Sequence, residues 1–324
     1  MVDASNEISL FTDAEAGEQP TRRYDVLLVV QPSKMTPSEM DNLLAALKSG
    51  QPALIFEDPY PVPESFPQVG GTFFPRRFAR NGNEVADIDK LWELLDLDID
   101  RRKQTIGDQV LTSPWLTWQA ASENPYRLDQ QLNRAGEMFV IRQSLSGSRF
   151  SDSHPAMIGI EELFFQFAGS IKQKPTSKLT YTDLVRTGQA GQILLLDWRL
   201  HAQARPNQNE LAKARGAANQ AYVLSAHIEG QDSGKMVPQG EGSKKNLNVV
   251  YVADMDLLSD YFVDLRNSPI RNNVEYVSQN MSFVQNLLDF LGGEETFLEI
   301  RNKRVDHVTL ATIDKQYELS LIHI

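Results

Sequence analysis

One stretch near the start of the chain constrains the fold more than any other, because a strand, a helix and a second strand follow one another between residues 24 and 59. Val26 to Val30 form a continuous apolar run rich in β-branched residues, which predicts a strand buried on both faces. Residues 53–59, ALIFEDP, repeat this pattern and end at Pro59. A strand, a helix and a strand in this order predict a βαβ unit, and therefore a parallel sheet with a right-handed crossover.

The helix between these strands carries clear start and stop signals. Thr36 is placed to cap the first turn, Pro37 suits the first helical position, and Glu39 completes a capping box. Gly50 can adopt the left-handed conformation that closes a helix. One apolar stripe for the core is made by Met40, Leu43, Leu44 and Leu47.

Segments near the other end of the chain repeat the same kinds of element. Residues 247–254, LNVVYVAD, predict another buried strand, and residues 278–293 predict a helix that stops at Gly292. Residues 296–305, TFLEIRNKRV, predict a short strand, whereas residues 158–171 fit a helix by length and a strand by composition. We therefore expect an α/β fold in which the first and last parts share one mostly parallel sheet, with helices on both faces.

The expected organisation is one large domain with additions. Residues 1–22 are acidic and weakly periodic, which predicts a poorly ordered arm or a peripheral strand. Residues 23–305 form the α/β domain, in which residues 100–220 are an insertion or a subdomain. Residues 306–324 form a tail that ends on an apolar stretch, which suggests truncation before a membrane segment.

Composition excludes several classes of function. The 324 residues include no cysteine, which rules out disulfides, thiolate metal sites and a cysteine nucleophile. A net charge of −11 argues against a nucleic-acid partner and against docking on an anionic membrane surface. No motif predicts a cofactor. Metal-ligand spacing is absent from the histidines, which we interpret as structural or surface residues: His154, His201, His227, His307 and His323.

Two acidic residues follow the strand at residues 247–254. Asp254 and Asp256 resemble the Asp-x-Asp motif of haloacid-dehalogenase-like phosphatases, in which the first Asp is the nucleophile, the second is the acid/base, and both help to bind Mg²⁺. The chain departs from that motif because Leu257 and Leu258 stand where Gly-Thr or Gly-Val is usual. Too little chain follows for the later motifs of that family. The alternatives are a Mg²⁺-dependent phosphotransfer or hydrolase site and a pair of turn caps.

A second acidic pair, Glu57 and Asp58, lies at the carboxyl end of a predicted parallel strand, where open α/β sheets bind ligands. The alternative is a purely structural role in a turn that ends the strand, because Asp-Pro favours turns. A third functional alternative combines this pair with the aromatic, proline-rich loop at residues 60–78. Carboxylates beside aromatic rings suit a carbohydrate, and this combination would make a glycan- or peptidoglycan-binding module.

Taken together, the segments resemble the GldG-like family, auxiliary components of ABC-type transport systems named for bacterial gliding motility. The resemblance rests on the ordered series QPSKMTPSEMDNLLAALKSGQPALIFEDP, ELFFQFAGSI, LTYTDLVRTG, VVYVADMDLLSDYF and NMSFVQNLLDFLGGEETFLEIRNKR, which spans most of residues 24–305. It implies a flavodoxin-like sheet similar to class I glutamine amidotransferases. Related domains of an intraflagellar-transport protein serve assembly. Amidotransferases need a cysteine nucleophile, so the resemblance implies a catalytically empty scaffold without a cofactor.

The resemblance also implies a setting and a set of contacts. Full-length members carry membrane helices outside this domain, which implies a soluble, membrane-tethered domain on the extracytoplasmic, periplasmic side, beside an ABC transporter permease or other membrane-complex subunits. A glycan ligand and a homo-oligomer stay open. Asp254 and Asp256 then cap the following turn, and Asn280 and Asn286 cross-link near the last helix. Arg301, with Lys303 and Arg304, either pairs with those acids or faces a partner.

Overall fold

A computed structural model of the chain describes the following residues: 3–12, 21–59, 61, 84–106, 109–114, 116–118, 138–142, 149–188, 192–194, 220–267, 270–271, 274–275 and 278–301. The strands in chain order are β1 (Leu27–Val30), β2 (Ala53–Phe56), β3 (Arg101–Ile106), β4 (Gln109–Pro114), β5 (Leu116–Trp118), β6 (Met138–Arg142), β7 (Glu162–Gln166), β8 (Thr180–Arg186), β9 (Gln192–Leu194), β10 (Val223–Glu229), β11 (Asn248–Val252), β12 (Ile270–Arg271) and β13 (Val274–Glu275). The helices are α1 (Pro37–Lys48), α2 (Asp89–Leu94), α3 (Asp260–Asn267), α4 (Asn280–Gly292) and α5 (Glu295–Arg301).

A five-stranded sheet forms the centre of the described part, with its strands in the order β1-β2-β11-β10-β8. Strands β1, β2 and β11 are parallel neighbours, and Leu54 of β2 lies opposite both Leu28 and Val250. Strand β10 runs antiparallel to β11 on one side and to β8 on the other. The predicted α/β fold, in which the first and last parts of the chain share one sheet, is therefore confirmed. Strand β8 also belongs to this sheet, although it lies within the region 100–220.

Helix α1 forms for the local reasons read from the sequence. The Thr36 hydroxyl accepts a hydrogen bond from the Glu39 N–H at 3.4 Å, and the Glu39 carboxylate accepts one from the Thr36 N–H at 2.7 Å. Gly50 has a φ of 90°, and a Cβ at this position would lie 2.4 Å from the carbonyl oxygen of Lys235. A glycine is therefore needed both for the turn and for the close approach of the segment that precedes β11.

Each face of the sheet carries its own apolar core. One face buries the stripe of α1 and the apolar side of α2, together with Ile8 and Leu10 from the first residues of the chain. The other face buries Phe283 and Leu287 of α4 against residues of β2, β11 and β10. Because both faces are covered, β2 and β11 are apolar along their length except for Asn248, the first residue of β11.

Two predictions about single elements were wrong. Strand β1 is the outer strand of the sheet and is not buried on both faces, since Leu28 and Val30 stay 51% and 39% exposed. The segment predicted as a strand at residues 296–305 begins as helix α5. Gly293, with a φ of 79°, ends α4, and the next turn starts at Glu295 and buries Leu298. The segment that fitted both a helix and a strand forms β7.

We expect Gly230→Ala to destabilise the fold by about 1–3 kcal/mol, the usual cost of overpacking. A Cβ at Gly230 would lie 2.2 Å from the carbonyl oxygen of Lys245, so the turn before β11 would have to move. Gly292→Ala is the matched control, because its nearest neighbour would lie at 3.8 Å and alanine favours the last turn of a helix. Urea unfolding measures both changes. Equal stability of the two variants would contradict the assignment of close packing at Gly230.

Candidate functional site

Three buried carboxylates meet at the carboxyl edge of the parallel strands. Asp58 follows β2, and Asp254 and Asp256 follow β11, which is the direct neighbour of β2 in the sheet. Each of the three offers a carboxylate oxygen within 4.8 Å of the others. We call these three residues the acidic group. Because neighbouring parallel strands end at the same edge, the pairing of β2 with β11 is what brings acids from distant parts of the sequence together.

The acidic group is tied to the main chain by hydrogen bonds. The two carboxylate oxygens of Asp254 accept from the N–H groups of Gln166 and Asp256, each at 2.6 Å. The Asp58 carboxylate accepts from the N–H of Met255 at 3.1 Å. These contacts connect the ends of β2, β7 and β11. The bond to Asp256 confirms the expectation that Asp254 caps the turn after its strand.

Gln31 and Glu57 extend this arrangement on the side of β1. The Gln31 amide donates to the carbonyl oxygen of Asp58 at 2.9 Å and to the Glu57 carboxylate at 3.2 Å, and it accepts from the Asp58 N–H at 3.1 Å. The Ser33 N–H donates to Glu57 at 3.0 Å. Gln31 has a φ of 55°, which is uncommon for a residue other than glycine. The sequence analysis missed Gln31, since no local pattern marks a strand-ending glutamine as a cross-link.

Burial changes the acidity of two of these side chains. It raises the pKa of Asp254 to about 7, although N–H donors from the backbone and a hydrogen bond with Asp58 oppose the rise. Burial likewise raises the pKa of Glu57 to about 7, against the opposing effect of Ser33 and Lys34. A hydrogen bond between the carboxyl groups of Asp58 and Asp254 requires a proton, so this pair holds one proton to a higher pH than isolated carboxylic acids would.

The acidic group has the chemistry of a divalent-cation site, because Mg²⁺ and Ca²⁺ prefer oxygen ligands. Its present contacts serve a different purpose, since main-chain N–H groups take up both oxygens of Asp254. Asp254 and Asp256 are fully buried. A substrate phosphoryl group would have to displace those hydrogen bonds before it could reach Asp254.

Helix α4 is fixed by the asparagine cross-links that the sequence analysis expected. Asn280 accepts from the N–H of Phe164 and donates to its carbonyl oxygen, both at 2.9 Å, and it also donates to Leu257 at 3.3 Å. Asn286 donates to the carbonyl oxygen of Ala156 at 3.0 Å. Asn280 therefore holds α4 against β7 and the turn at residues 256–258, and Asn286 holds it against the turn at residues 155–157.

The remaining predicted site residues are not brought to this group by the described structure. Arg301 is the last residue of α5, and its side chain lies outside what the structure describes. Lys303 and Arg304 lie outside the described residues, and so does the aromatic loop at residues 60–78 apart from Pro61. The predictions for these residues stay predictions.

Two of the five histidines form a buried pair that the sequence did not reveal. The Ala156 N–H donates to His154 Nδ1 at 3.3 Å, so this nitrogen carries no proton and the neutral ring carries its proton on Nε2. His154 Nε2 lies 3.2 Å from His227 Nδ1, and His227 Nε2 lies 2.9 Å from Asn248 Oδ1. Each of these hydrogen bonds is satisfied if both rings are neutral and each donates to the next group, with Glu229 Oε2 a further 3.5 Å from His227 Nδ1. A metal ion would need the ring nitrogens that this chain of bonds already uses.

The surroundings of the pair keep it neutral. Burial, followed by the proximity of His227, lowers the pKa of His154 to about 4. Burial also lowers the pKa of His227, although Glu229 and Asn248 oppose the change. The ring of Phe290 on α4 lies 4.3 Å from the His154 ring and 5.0 Å from the His227 ring, measured between centroids. The pair therefore packs α4 onto β10.

Comparison with known proteins identifies the family. Residues 5–291 match the family model described as an ABC-type uncharacterized transport system, and the chain belongs to that family. Its members are auxiliary components of ABC-type transport systems. No curated protein sequence matches the chain. Among the described residues, no helix has the length and apolar character needed to cross a membrane.

Among solved structures, the chain is similar to the mmIFT52 N-terminal domain. The two share 10% sequence identity with a TM-score of 0.38, over 82% of this chain and 76% of the other. This is a distant likeness, and it assigns no role to any residue of this chain.

We expect Asp58→Asn to change how stability depends on pH. A carboxyl group whose pKa is raised on folding is ionised at a cost, so its contribution to stability falls as pH rises from about 4 to about 7. An asparagine at position 58 can donate to Asp254 and accept from Met255 without ionising. Relative to the wild type, the free energy of unfolding should therefore increase across this range, by at most about 1.4 kcal/mol per pH unit.

Asp254→Asn is the control for that experiment. Its amide N–H group would face a main-chain N–H of Gln166 or Asp256, so the variant should lose about 1–3 kcal/mol at pH 4, where the wild-type pair holds its proton, whereas Asp58→Asn should lose little there. Chemical denaturation at a series of pH values measures both variants. An Asp58→Asn profile parallel to that of the wild type would show that the two carboxyl groups do not share a proton.

The histidine pair should make the free energy of unfolding depend on pH in the opposite direction. A histidine whose pKa is lowered on folding contributes stability that is complete above about pH 6.5 and is lost as pH falls towards 4. His154→Asn keeps an acceptor for the Ala156 N–H but removes this titration. We expect its free energy of unfolding to fall less steeply with acidification, by about 1.4 kcal/mol per pH unit, whatever its stability at neutral pH. An unchanged slope would contradict a neutral buried pair.

Proposed function

We propose that this chain is a non-enzymatic scaffolding or binding domain of its ABC-type transport system. The observation that carries this proposal is the use of the acidic group. Main-chain N–H groups at the ends of β7 and β11 occupy both oxygens of Asp254, and Met255 donates to Asp58. Carboxylates used in this way hold strand ends together, and they do so without contact with solvent. Such a site supports a structural role more directly than a catalytic one.

The finer family assignment belongs to this proposal. Three adjacent parallel strands with ligand-type residues at their carboxyl edge support a GldG-like domain with a flavodoxin-like sheet similar to class I glutamine amidotransferases. Such an amidotransferase needs a cysteine nucleophile, and the 324 residues include none. The same architecture without the nucleophile supports a domain with the amidotransferase-like fold but without amidotransferase activity.

The proposed partners are the permease of the ABC transporter or other membrane-complex subunits, on the extracytoplasmic side of the membrane, with the domain tethered in the full-length protein. Two pairs of neighbouring exposed apolar side chains support a binding role, because exposed apolar groups that lie together mark interaction sites more often than single ones do. Leu28 and Val30 on β1, and Phe297 and Ile300 on α5, are 39–60% exposed. These four residues are the first positions at which contact with a partner should be sought.

The test is site-specific photo-crosslinking in cells that contain the native transporter. A photoreactive amino acid at position 30 or 300 should give a crosslink to the permease or another subunit of the same complex. Position 264, on the exposed side of α3, is the matched control and should give none. Crosslinks at all three positions, or at none while the domain stays folded and the complex assembles, would contradict the proposed contact.

A Mg²⁺-dependent phosphotransfer or hydrolase site is the second candidate, favoured by the convergence of Asp58, Asp254 and Asp256 within 4.8 Å. Its weakness is that Asp254 is enclosed and already hydrogen-bonded. We expect no Mg²⁺-dependent hydrolysis of a broad panel of phosphate esters. Activity that Asp254→Asn abolishes, in a variant that is still folded, would favour the enzyme over the scaffold.

A further inference from the structure

A cleft of about 450 Å³ lies beside the outer strand β8, away from the acidic group. Its walls come from the segment after α2, from residues 170–173, from the first half of β8 and from residues 220–223. None of Glu57, Asp58, Asp254 and Asp256 lines it. Its volume falls in the range of roughly 300–1,000 Å³ that is usual for ligand sites.

Negative charge dominates the lining. Three carboxylates, those of Asp98, Asp100 and Asp183, face the cleft against one ammonium group, that of Lys172. Lys172 Nζ lies 3.9 Å from the Asp98 carboxylate, and both side chains are about half or more exposed, so this ion pair is weak and its two side chains can separate. Arg186, outside the lining, lies 3.2 Å from Asp183. Asp100 forms no ion pair with any residue that the structure describes.

Two tyrosine rings complete the lining. Tyr181 is fixed by a hydrogen bond from its hydroxyl to the carbonyl oxygen of Leu95. Tyr222 is buried and lines the cleft together with Asp100, and burial, followed by the negative charge of Asp100, raises the pKa of its hydroxyl. Carboxylates and aromatic rings are the two kinds of group that recognise an ammonium or guanidinium ion.

The main chain beside the cleft offers a second way to bind. Strand β8 is the last strand of the sheet, and its second half already contacts residues 149–151, through bonds from Ser151 to Leu184 and from Arg186 to Arg149, at 3.0 and 2.8 Å. No strand in the described part of the chain pairs with the outer edge of its first half, Thr180 to Asp183. An extended peptide can add to such an edge through main-chain hydrogen bonds.

We propose that this cleft binds an arginine or lysine side chain of a protein partner, presented by an extended segment that lies along the first half of β8. The cation enters between Asp100 and Asp183, and the rings of Tyr181 and Tyr222 contact it. The negative charge of the site selects a basic residue, and the open edge of β8 selects an extended main chain. This proposal concerns a different surface from the acidic group and does not rest on the proposed function.

The test is a calorimetric titration of the full chain with three probes: the capped pentapeptide TVRVT, its uncharged analogue TVQVT, and agmatine, which carries the guanidinium group without a peptide. We expect TVRVT to bind most tightly and more weakly as salt is added, because exposed charges are screened. The double variant Asp100→Asn with Asp183→Asn should weaken the binding of TVRVT about tenfold. Asp264→Asn on α3 makes the same kind of charge change elsewhere and should leave the affinity unchanged.

Each contrary result overturns a stated part of the proposal. If TVQVT binds as tightly as TVRVT, the site does not recognise the positive charge. If Asp264→Asn weakens binding as much as the double variant does, the peptide does not bind in the cleft. If agmatine binds as tightly as TVRVT, the peptide main chain contributes nothing to binding, and the cleft is a site for small cations instead. Absence of saturable binding by any probe to the folded protein would overturn the proposal as a whole.

Discussion

The hydrogen bonds from main-chain N–H groups to Asp254 are the contacts on which the carboxyl edge of the sheet depends. A strand ends with main-chain polar groups that its neighbours no longer pair, and in a buried position those groups need partners. Asp254 supplies them for β7 and for the turn after β11, and Asp58 does the same for Met255. Gln31 then connects β1 to the end of β2. Through these side chains, the ends of four strands, β1, β2, β7 and β11, are joined at one edge of the sheet.

Two kinds of buried ionisable group have opposite effects on the pH dependence of stability. Asp254 and Glu57 carry raised pKa values, whereas His154 and His227 carry lowered ones. Between about pH 4 and pH 7, the folded protein therefore binds more protons than the unfolded chain at the acids and fewer at the histidines. The two effects offset each other, so the stability of the whole protein can depend only weakly on pH even though the pKa values of single groups are strongly shifted.

The sequence predicted the local parts of the structure best. The cap at Thr36 and Glu39 and the turn at Gly50 depend on neighbouring residues, and they were confirmed. The meeting of Asp58 with Asp254 follows from a general property of parallel strands, so it too could be anticipated. The antiparallel direction of β10 could not, because no local pattern sets the direction in which a strand joins a sheet.

The histidine pair and the role of Gln31 were not predictable for a related reason. His154 and His227 are separated by 73 positions, and Gln31 and Asp58 by 27, so nothing in either local sequence marks the contact. Strand β1 shows a further limit. An apolar run indicates that a strand is buried, but it does not indicate that the strand lies at the border of a sheet, where one face has no cover.

The order of strands in the sheet also has a consequence for biosynthesis. Strand β2 leaves the ribosome early, but its neighbour β11 ends only at Val252. Until that residue has been made, the inner edge of β2 has no partner and the apolar face bearing Leu54 and Phe56 lies open. Sheets that join distant parts of a chain form slowly, because a long loop must close first. A nascent chain of this protein therefore carries an unpaired apolar strand through most of its synthesis, and unpaired apolar strand edges are prone to aggregate.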